Sequence, residues 1–352
     1  MHNDTFKFIL DKVNAQLALP NFPHITKEGK WITTKKGHWT GGFWAGILWL
    51  CYMATNKEEY QIAAHKVTNK LEKRQNDKTF DLGFLFYYSH VLGYQQTNDK
   101  HLKNVALNAA DNLLKMYNEK NKVISNNIRL SGKNRGRTII DVMMNLCLLW
   151  WAFKETDDNN YYTIAYEHSI NTINELIRDD YSTIQIMDFD LETGEIIHKK
   201  TAQGYSNTSC WSRGQAWGMY GFIIAYKSTK EKKFLKTAER LSEYFICNLP
   251  QDHVPYWDFN DPSKSIKDSS AAAIACSAIF DLYEINKNVK FKKEGCNIIN
   301  SLITDYFNEQ PTDGLIKHGC YYKPKNIATD ESLIFGDYYF LEALLKCNPM
   351  NP

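Results

Sequence analysis

Apolar and polar positions recur with a helical period along almost the whole chain, in two alternating kinds of segment. One kind is apolar on most faces and rich in Gly, Ala and aromatics, as in GGFWAGILWLCYMA and GQAWGMYGFIIAY. The other carries charge on one face, as in KFLKTAERLSEYFICNL. An all-round apolar helix belongs inside, and an amphipathic one forms an outer wall. The spacing predicts inner helices near 41–54, 82–94, 138–153, 211–227, 269–284 and 335–347, and outer ones near 4–17, 58–74, 99–117, 159–178, 231–248 and 288–305. Four inner segments end in the same way, a Thr followed by polar residues, in MATNKEEY, QQTNDKHL, KETDDNNYY and KSTKEKKFL. Each polar cluster stops one helix and caps the next.

This alternation predicts an all-α fold, an (α/α)6 barrel of six inner and six outer helices. An open solenoid is the rival, but it would keep a steadier repeat and a polar terminal cap. The repeats are about 40 to 75 residues apart, and the last helix is as apolar as the rest, so closure is favoured. Thr183 to Thr201 reads as a short β-hairpin insert turning at Glu192-Thr193-Gly194, and Gly314 to Phe335 as a long loop. Loops feeding one rim are where function sits. No Pro/Gly linker divides the chain, so residues 1–352 read as one domain.

Composition narrows the function. A formal charge of +2 gives no global field for nucleic acid or an acidic membrane surface. Aromatic residues make up 14%, with nine Trp and 21 Tyr, which serve either as a large core or as platforms for sugar rings. The eight cysteines include no CxxC pair or Cys/His cluster, which argues against zinc, and most lie in apolar runs as reduced, buried thiols. There is no basic leader with a long apolar run and no stretch of membrane-spanning length. The chain as given reads as cytoplasmic, or periplasmic if a signal peptide has been removed from it.

The starts of the inner segments concentrate polar and aromatic groups. Asp141 lies among Ile139, Ile140, Val142, Met143 and Met144, where desolvation raises a carboxyl pKa into the range of a general acid. The alternative is a buried ion pair with Arg135 or Arg137. Asp81 is either a second chemical carboxylate or the N-cap of its helix. Asp268 and Asp337 read as caps or ring-to-ring hydrogen bonders. Arg213, in CWSRGQAWG, is either an anion-binding fork or the partner of a neighbouring inner-helix aspartate. Trp39, Trp44, Trp211 and Trp217 are core or sugar platforms. Residue chemistry alone thus reaches a barrel with an aromatic, carboxylate-bearing pocket that could hold an anion.

The segments WTGGFWAGILWL, DLGFL, IIDVMMNLCLLWWA, QGYSNTSCWSRGQAWGMYGF, YWDF, DSSAAAIA and GDYYFLEALL resemble, in family order, the unsaturated glucuronyl hydrolases of glycoside hydrolase family 88. The resemblance implies the same barrel, no cofactor, and an oligosaccharide ending in a 4,5-unsaturated uronic acid as substrate. It implies hydration of the C4=C5 bond, with a proton to C4, water to C5, and opening of the hemiketal to expel the remaining sugar. Asp141 would then be general acid and base and Asp81 its partner. Trp39, Gln203, Arg213 and Trp217 would line the subsite, with Tyr321 a looser match. Three family positions differ: Phe80 and Gln185 stand where His is common, and VISNNIRL has no counterpart of a Trp. These departures point away from glycosaminoglycan disaccharides, with Asn126, Asn127, Arg129 and Lys133 forming a different leaving-group subsite.

Three rivals remain. The unsaturated rhamnogalacturonyl hydrolases share the barrel but differ around RGQAW. An (α/α)6 epimerase or lyase of other chemistry should show a His pair at opposite inner-helix starts, where His is scarce here. A helical scaffold would expose an apolar stripe rather than bury aspartates beside Arg and Trp.

Overall fold

The structure, a computed structural model, describes residues 2–130, 133–309 and 311–347. Its inner helices are α2 (Gly41–Thr55), α4 (Leu82–Phe86, running through a π-helical turn at Tyr87–Val91 into Leu92–Thr97), α6 (Val142–Asn145 and Cys147–Thr156), α8 (Ser212–Thr229), α10 (Ser269–Asn286) and α12 (Ile334–Cys347). The outer helices are α1 (His2–Asn14), α3 (Glu58–Leu71), α5 (Lys100–Leu114), α7 (Asn159–Leu176), α9 (Lys232–Cys247) and α11 (Val289–Thr304). In α2 every residue from Gly41 to Cys51 is buried, whereas α9 buries only Phe234, Thr237, Ala238, Leu241, Ser242 and Phe245, one stripe at helical spacing. The last inner helix packs on both α10 and α2. That contact closes the ring and excludes an open solenoid.

The repeated Thr has a definite job. Thr55, Thr97, Thr156 and Thr229 each donate back to the carbonyl four residues earlier, and each hydroxyl then accepts the amide two residues ahead. Between them a single residue takes the left-handed conformation (Asn56, Asn98, Asp157 and Lys230), which ends the inner helix. A fifth copy, not evident from the repeat, ends α10: Asn286 accepts the amide of Asn288, and Lys287 is left-handed. Asp99, Asp158 and Asn288 then cap the following outer helices through their side chains.

The β content exceeds the one hairpin expected. That hairpin is present as β7 (Ile186–Asp190) and β8 (Ile196–Lys200), but it is half of a four-stranded antiparallel sheet whose other strands are β5 (Asn126–Leu130) and β6 (Lys133–Ile139). Two smaller hairpins pair β1 (Phe22–Lys27) with β2 (Lys30–Thr34) and β3 (Tyr117–Asn118) with β4 (Val123–Ile124). The expected helix start near 138 is therefore corrected. Thr138 and Ile139 still pair with Met187 and Ile186, and the helix begins only at Val142. The apolar run of the strand passes without a break into that of the helix, which hides the change of period. Among the described residues no helix is long and apolar enough to cross a membrane, and five of the eight free cysteines are buried.

One close approach sets the positions of the chemical groups. A Cβ at Gly83 would lie 2.3–2.7 Å from backbone atoms of Asn145, so only glycine lets α4 come this near α6. The amide of Phe84 donates to Asn145 Oδ1 at 2.7 Å across the same contact. Two inner helix starts are thereby locked together. Gly83→Ala is expected to cost roughly 1–3 kcal/mol through overpacking, read as a lower denaturation midpoint; an unchanged midpoint would show that the contact is slack.

Candidate active site

A cavity of about 180 Å³ opens where the inner helices begin. Asp81, Asp141, Gln203, Arg213, Trp39 and Tyr321 all line it, so six of the seven residues singled out from the sequence are brought together. Its remaining walls are mostly apolar or aromatic: Phe80, Phe84, Ile139, Trp211 and Tyr322. A larger groove of about 960 Å³, bordered by Lys78, Asn112, Tyr117 and Asn126, contains none of these groups. The candidate residues gather in the smaller space. Asn126 lines that groove rather than the cavity, and the side chains of Asn127, Arg129 and Lys133 lie outside those described.

Asp141 occupies a junction. Strand β6 ends at Ile139, the amide of Ile140 donates to the carbonyl of Gln185 at 2.9 Å, and α6 starts after Asp141. The residue is 9% exposed, and its Oδ2 has no hydrogen-bond partner. It makes no capping bond. Among the described residues neither ion pair considered from the sequence is formed: Arg137 is bound through two nitrogens to Asp188 across the sheet, at 2.6 and 2.8 Å, and Arg135 Nε has no partner. Burial outweighs the nearby Arg213 charge and the residue's own backbone amide and pushes the Asp141 carboxyl up to about 7. Asp81 adds a small upward push.

Asp81 precedes α4, yet its side chain does not cap that helix. It is half-buried and accepts a hydrogen bond from the Thr79 hydroxyl at 3.1 Å. Burial raises it to about 6, with the Thr79 bond and the Arg74 charge pulling the other way. The cavity thus holds two carboxyls that burial pushes above the usual carboxylate range.

Arg213 is 1% exposed and paired with Asp268, as one of the sequence alternatives had it. It also donates to the carbonyls of Cys320 and Tyr321 at 2.6 and 2.7 Å, and its guanidinium carbon lies 4.5 Å from the Trp211 ring centroid and 5.3 Å from that of Phe335. Nε and one Nη2 hydrogen have no protein acceptor among the described residues. Asp268 caps α10 through the amides of Ser270 and Ala271. Asp337 bonds across to the amides of Leu315 and Ile316. Tyr321 is fixed at both ends, its carbonyl by Arg213 and Gln203 and its hydroxyl by the indole N–H of Trp39 at 2.9 Å.

Trp217 is the correction. It is fully buried, absent from the cavity wall, and packed on Phe84 with ring centroids 5.2 Å apart. Its position six residues into a buried helix places it below the rim where the others gather. Sequence reasoning missed Tyr322, Thr79 and Asn145. Asn145 had a signal, a lone amide one turn after Asp141 in an otherwise apolar helix, whereas Tyr322 and Thr79 lie in loops with no periodicity to place them.

A raised carboxyl pKa has a sign for folding. Between about pH 4 and 7 the folded protein holds a proton on Asp141 that the unfolded chain releases, so this contribution to stability is lost as pH rises through 7. Asp141→Asn removes the penalty. Chemical denaturation should show little difference between mutant and wild type at pH 4 and a more stable mutant at pH 8; equal stability at both would mean Asp141 is not withdrawn from water.

With the geometry in place, the comparisons are consistent along the whole chain. The profile of Glycosyl Hydrolase Family 88 matches residues 15–345. An unsaturated chondroitin disaccharide hydrolase from Streptococcus pneumoniae is 37% identical over 96% of this chain and 90% of its own. The crystal structure of an unsaturated glucuronyl hydrolase from Bacillus sp. GL1, responsible for the degradation of glycosaminoglycan, superposes with a TM-score of 0.93 at 31% identity, covering 99% of this chain and 97% of the other. A mutant unsaturated glucuronyl hydrolase from Streptococcus agalactiae, complexed with dGlcA-GalNAc6S, gives 0.84 at 30% identity over 100% and 93%. The chain belongs to Glycosyl Hydrolase Family 88, and is a glycoside hydrolase whose relatives over nearly its full length are unsaturated glucuronyl hydrolases.

Proposed function

We propose that this enzyme removes a 4,5-unsaturated uronic acid from the non-reducing end of lyase-generated oligosaccharides by hydrating the C4=C5 bond, with Asp141 as general acid and base. The observation that carries the reading is the unpartnered, 9% exposed carboxyl of Asp141, pushed up to about 7 on the wall of the cavity. A vinyl ether is protonated at carbon, which needs an acid still holding its proton near neutral pH. The cavity is small, about 180 Å³. That is room for a single sugar ring and suits removal of a terminal residue.

In the reaction Asp141 gives its proton to C4, and positive charge develops at C5 beside the ring oxygen. Water adds to C5, and the Asp141 carboxylate takes a proton from that water and is restored. The resulting hemiketal opens and releases the leaving sugar, so one water is consumed and no group stays on the enzyme. Asp81, across the cavity, would hold the ring hydroxyls. Trp39 and Tyr321 would offer aromatic surface, and Gln203 and the two uncommitted Arg213 hydrogens would meet the sugar carboxylate. Tied to Asp268, Arg213 contributes positive potential without neutralising Asp141.

Incubation with unsaturated lyase products should bleach the ultraviolet absorbance of the conjugated double bond. The rate should fall as pH rises through about 7, because the acid form of Asp141 is then lost. Asp141→Asn should lower turnover by about 10³-fold; a mutant at full rate would remove Asp141 from the mechanism. On a substrate panel, the apolar Phe80 wall, where the family resemblance has His, favours a product other than the chondroitin or hyaluronan disaccharides. Highest kcat/KM on those disaccharides would contradict that preference while leaving the reaction intact.

A further inference from the structure

Gln185, the residue before β7, is 6% exposed and absent from the cavity wall, yet its side chain makes four hydrogen bonds beside it. Its Oε1 accepts three hydrogen bonds, from the Thr201 hydroxyl at 2.8 Å and the amides of Ala202 and Gln203 at 2.7 and 2.9 Å. Its Nε2 donates to Gln203 Oε1 at 2.8 Å. Gln203 Nε2 then donates to the Tyr321 carbonyl at 3.0 Å, beside the Arg213 donor to the same oxygen.

The direction of this relay is fixed chemically. Two backbone N–H groups face one end of the Gln185 amide, so that end must be oxygen and the other nitrogen. Nitrogen there obliges Gln203 to turn its oxygen toward Gln185 and its nitrogen toward the Tyr321 carbonyl. A flipped Gln203 would set oxygen against oxygen. Held this way, Gln203 keeps one N–H and one lone pair uncommitted. The backbone carbonyl of Gln185 meanwhile receives the amide of Ile140, the neighbour of Asp141. One residue therefore ties the acid's strand to the binding wall. A neutral imidazole has a single acceptor and could not take three donors while also donating to Gln203.

We propose that Gln185 is the positioning residue of the substrate-binding wall: by holding the loop 201–203 and dictating which way the Gln203 amide points, it sets affinity for the sugar. This rests on the cavity taking the unsaturated uronic acid, as proposed above. Gln185→Met keeps the length of the side chain and deletes both its donor and its acceptor. In the bleaching assay its KM should rise about tenfold, with kcat within about threefold of wild type. The alkaline limb set by Asp141 should stay in place. In a Gln203→Ala background the same change should add little, since the residue it positions is gone. An unchanged KM, an equal loss in kcat and kcat/KM, or full additivity with Gln203→Ala would overturn the assignment. If Gln185→Met does not fold, Gln185→Glu, which keeps an acceptor for the loop amides but sets an oxygen against Gln203 Oε1, carries the same measurements. Failure of wild type to bleach the substrate would instead overturn the functional reading itself.

Discussion

Keeping an unpartnered carboxyl out of water costs free energy that the rest of the protein must supply, and much of the rim is arranged so that Asp141 can stay in that state. The approach of α4 to α6 at Gly83 and Asn145 seals the space beneath it. Phe80, Phe84, Ile139 and Trp211 replace water around it. Among the described residues nothing donates to Oδ2. A single well-placed amide would drop the pKa and turn the acid into an ordinary structural carboxylate.

The placement of positive charge follows the same constraint. A substrate that is itself a carboxylate needs a cation nearby, but a free cation beside Asp141 would ionise it. Pairing Arg213 with Asp268, and committing it further to two loop carbonyls, reconciles the two demands. The nearby Trp211 and Phe335 rings help keep the guanidinium in place and dry. Asp268 thus offsets much of the Arg213 charge, which lowers the Asp141 pKa without overcoming the effect of burial.

The barrel was legible in the sequence because its signal is redundant: twelve helical segments, each with its own period, and a Thr stop repeated at four of the junctions. Where one residue carried the information, sequence reasoning did less well. The β6 strand merges with the helix start after it because Ile139 and Ile140 suit either period. Trp217 looks like a rim residue in CWSRGQAWG but falls below the rim, since depth along a buried helix is set by where its first turn begins. The Arg213–Asp268 pair spans 55 positions of sequence, and no local pattern announces it.

The aspartates at the rim show why burial alone could not have sorted them. Asp258, Asp268 and Asp337 are as buried as Asp141, and each sits where a loop meets the inner ring. They differ in what they accept. Asp258 takes the amides of Tyr205 and Asn260, Asp268 those of Ser270, Ala271 and Cys320, and Asp337 those of Leu315 and Ile316. Asp81 has only a hydroxyl and Asp141 leaves one oxygen bare. A carboxylate that satisfies backbone amides fixes a loop, because its oxygens are used up and its loss would orphan buried donors. One with unused lone pairs in a cavity can bind or exchange a proton. In sequence four of the five are Asp at an inner helix start and Asp258 lies in a loop; the distinction arises only when the loops fold back and choose which of them to bind.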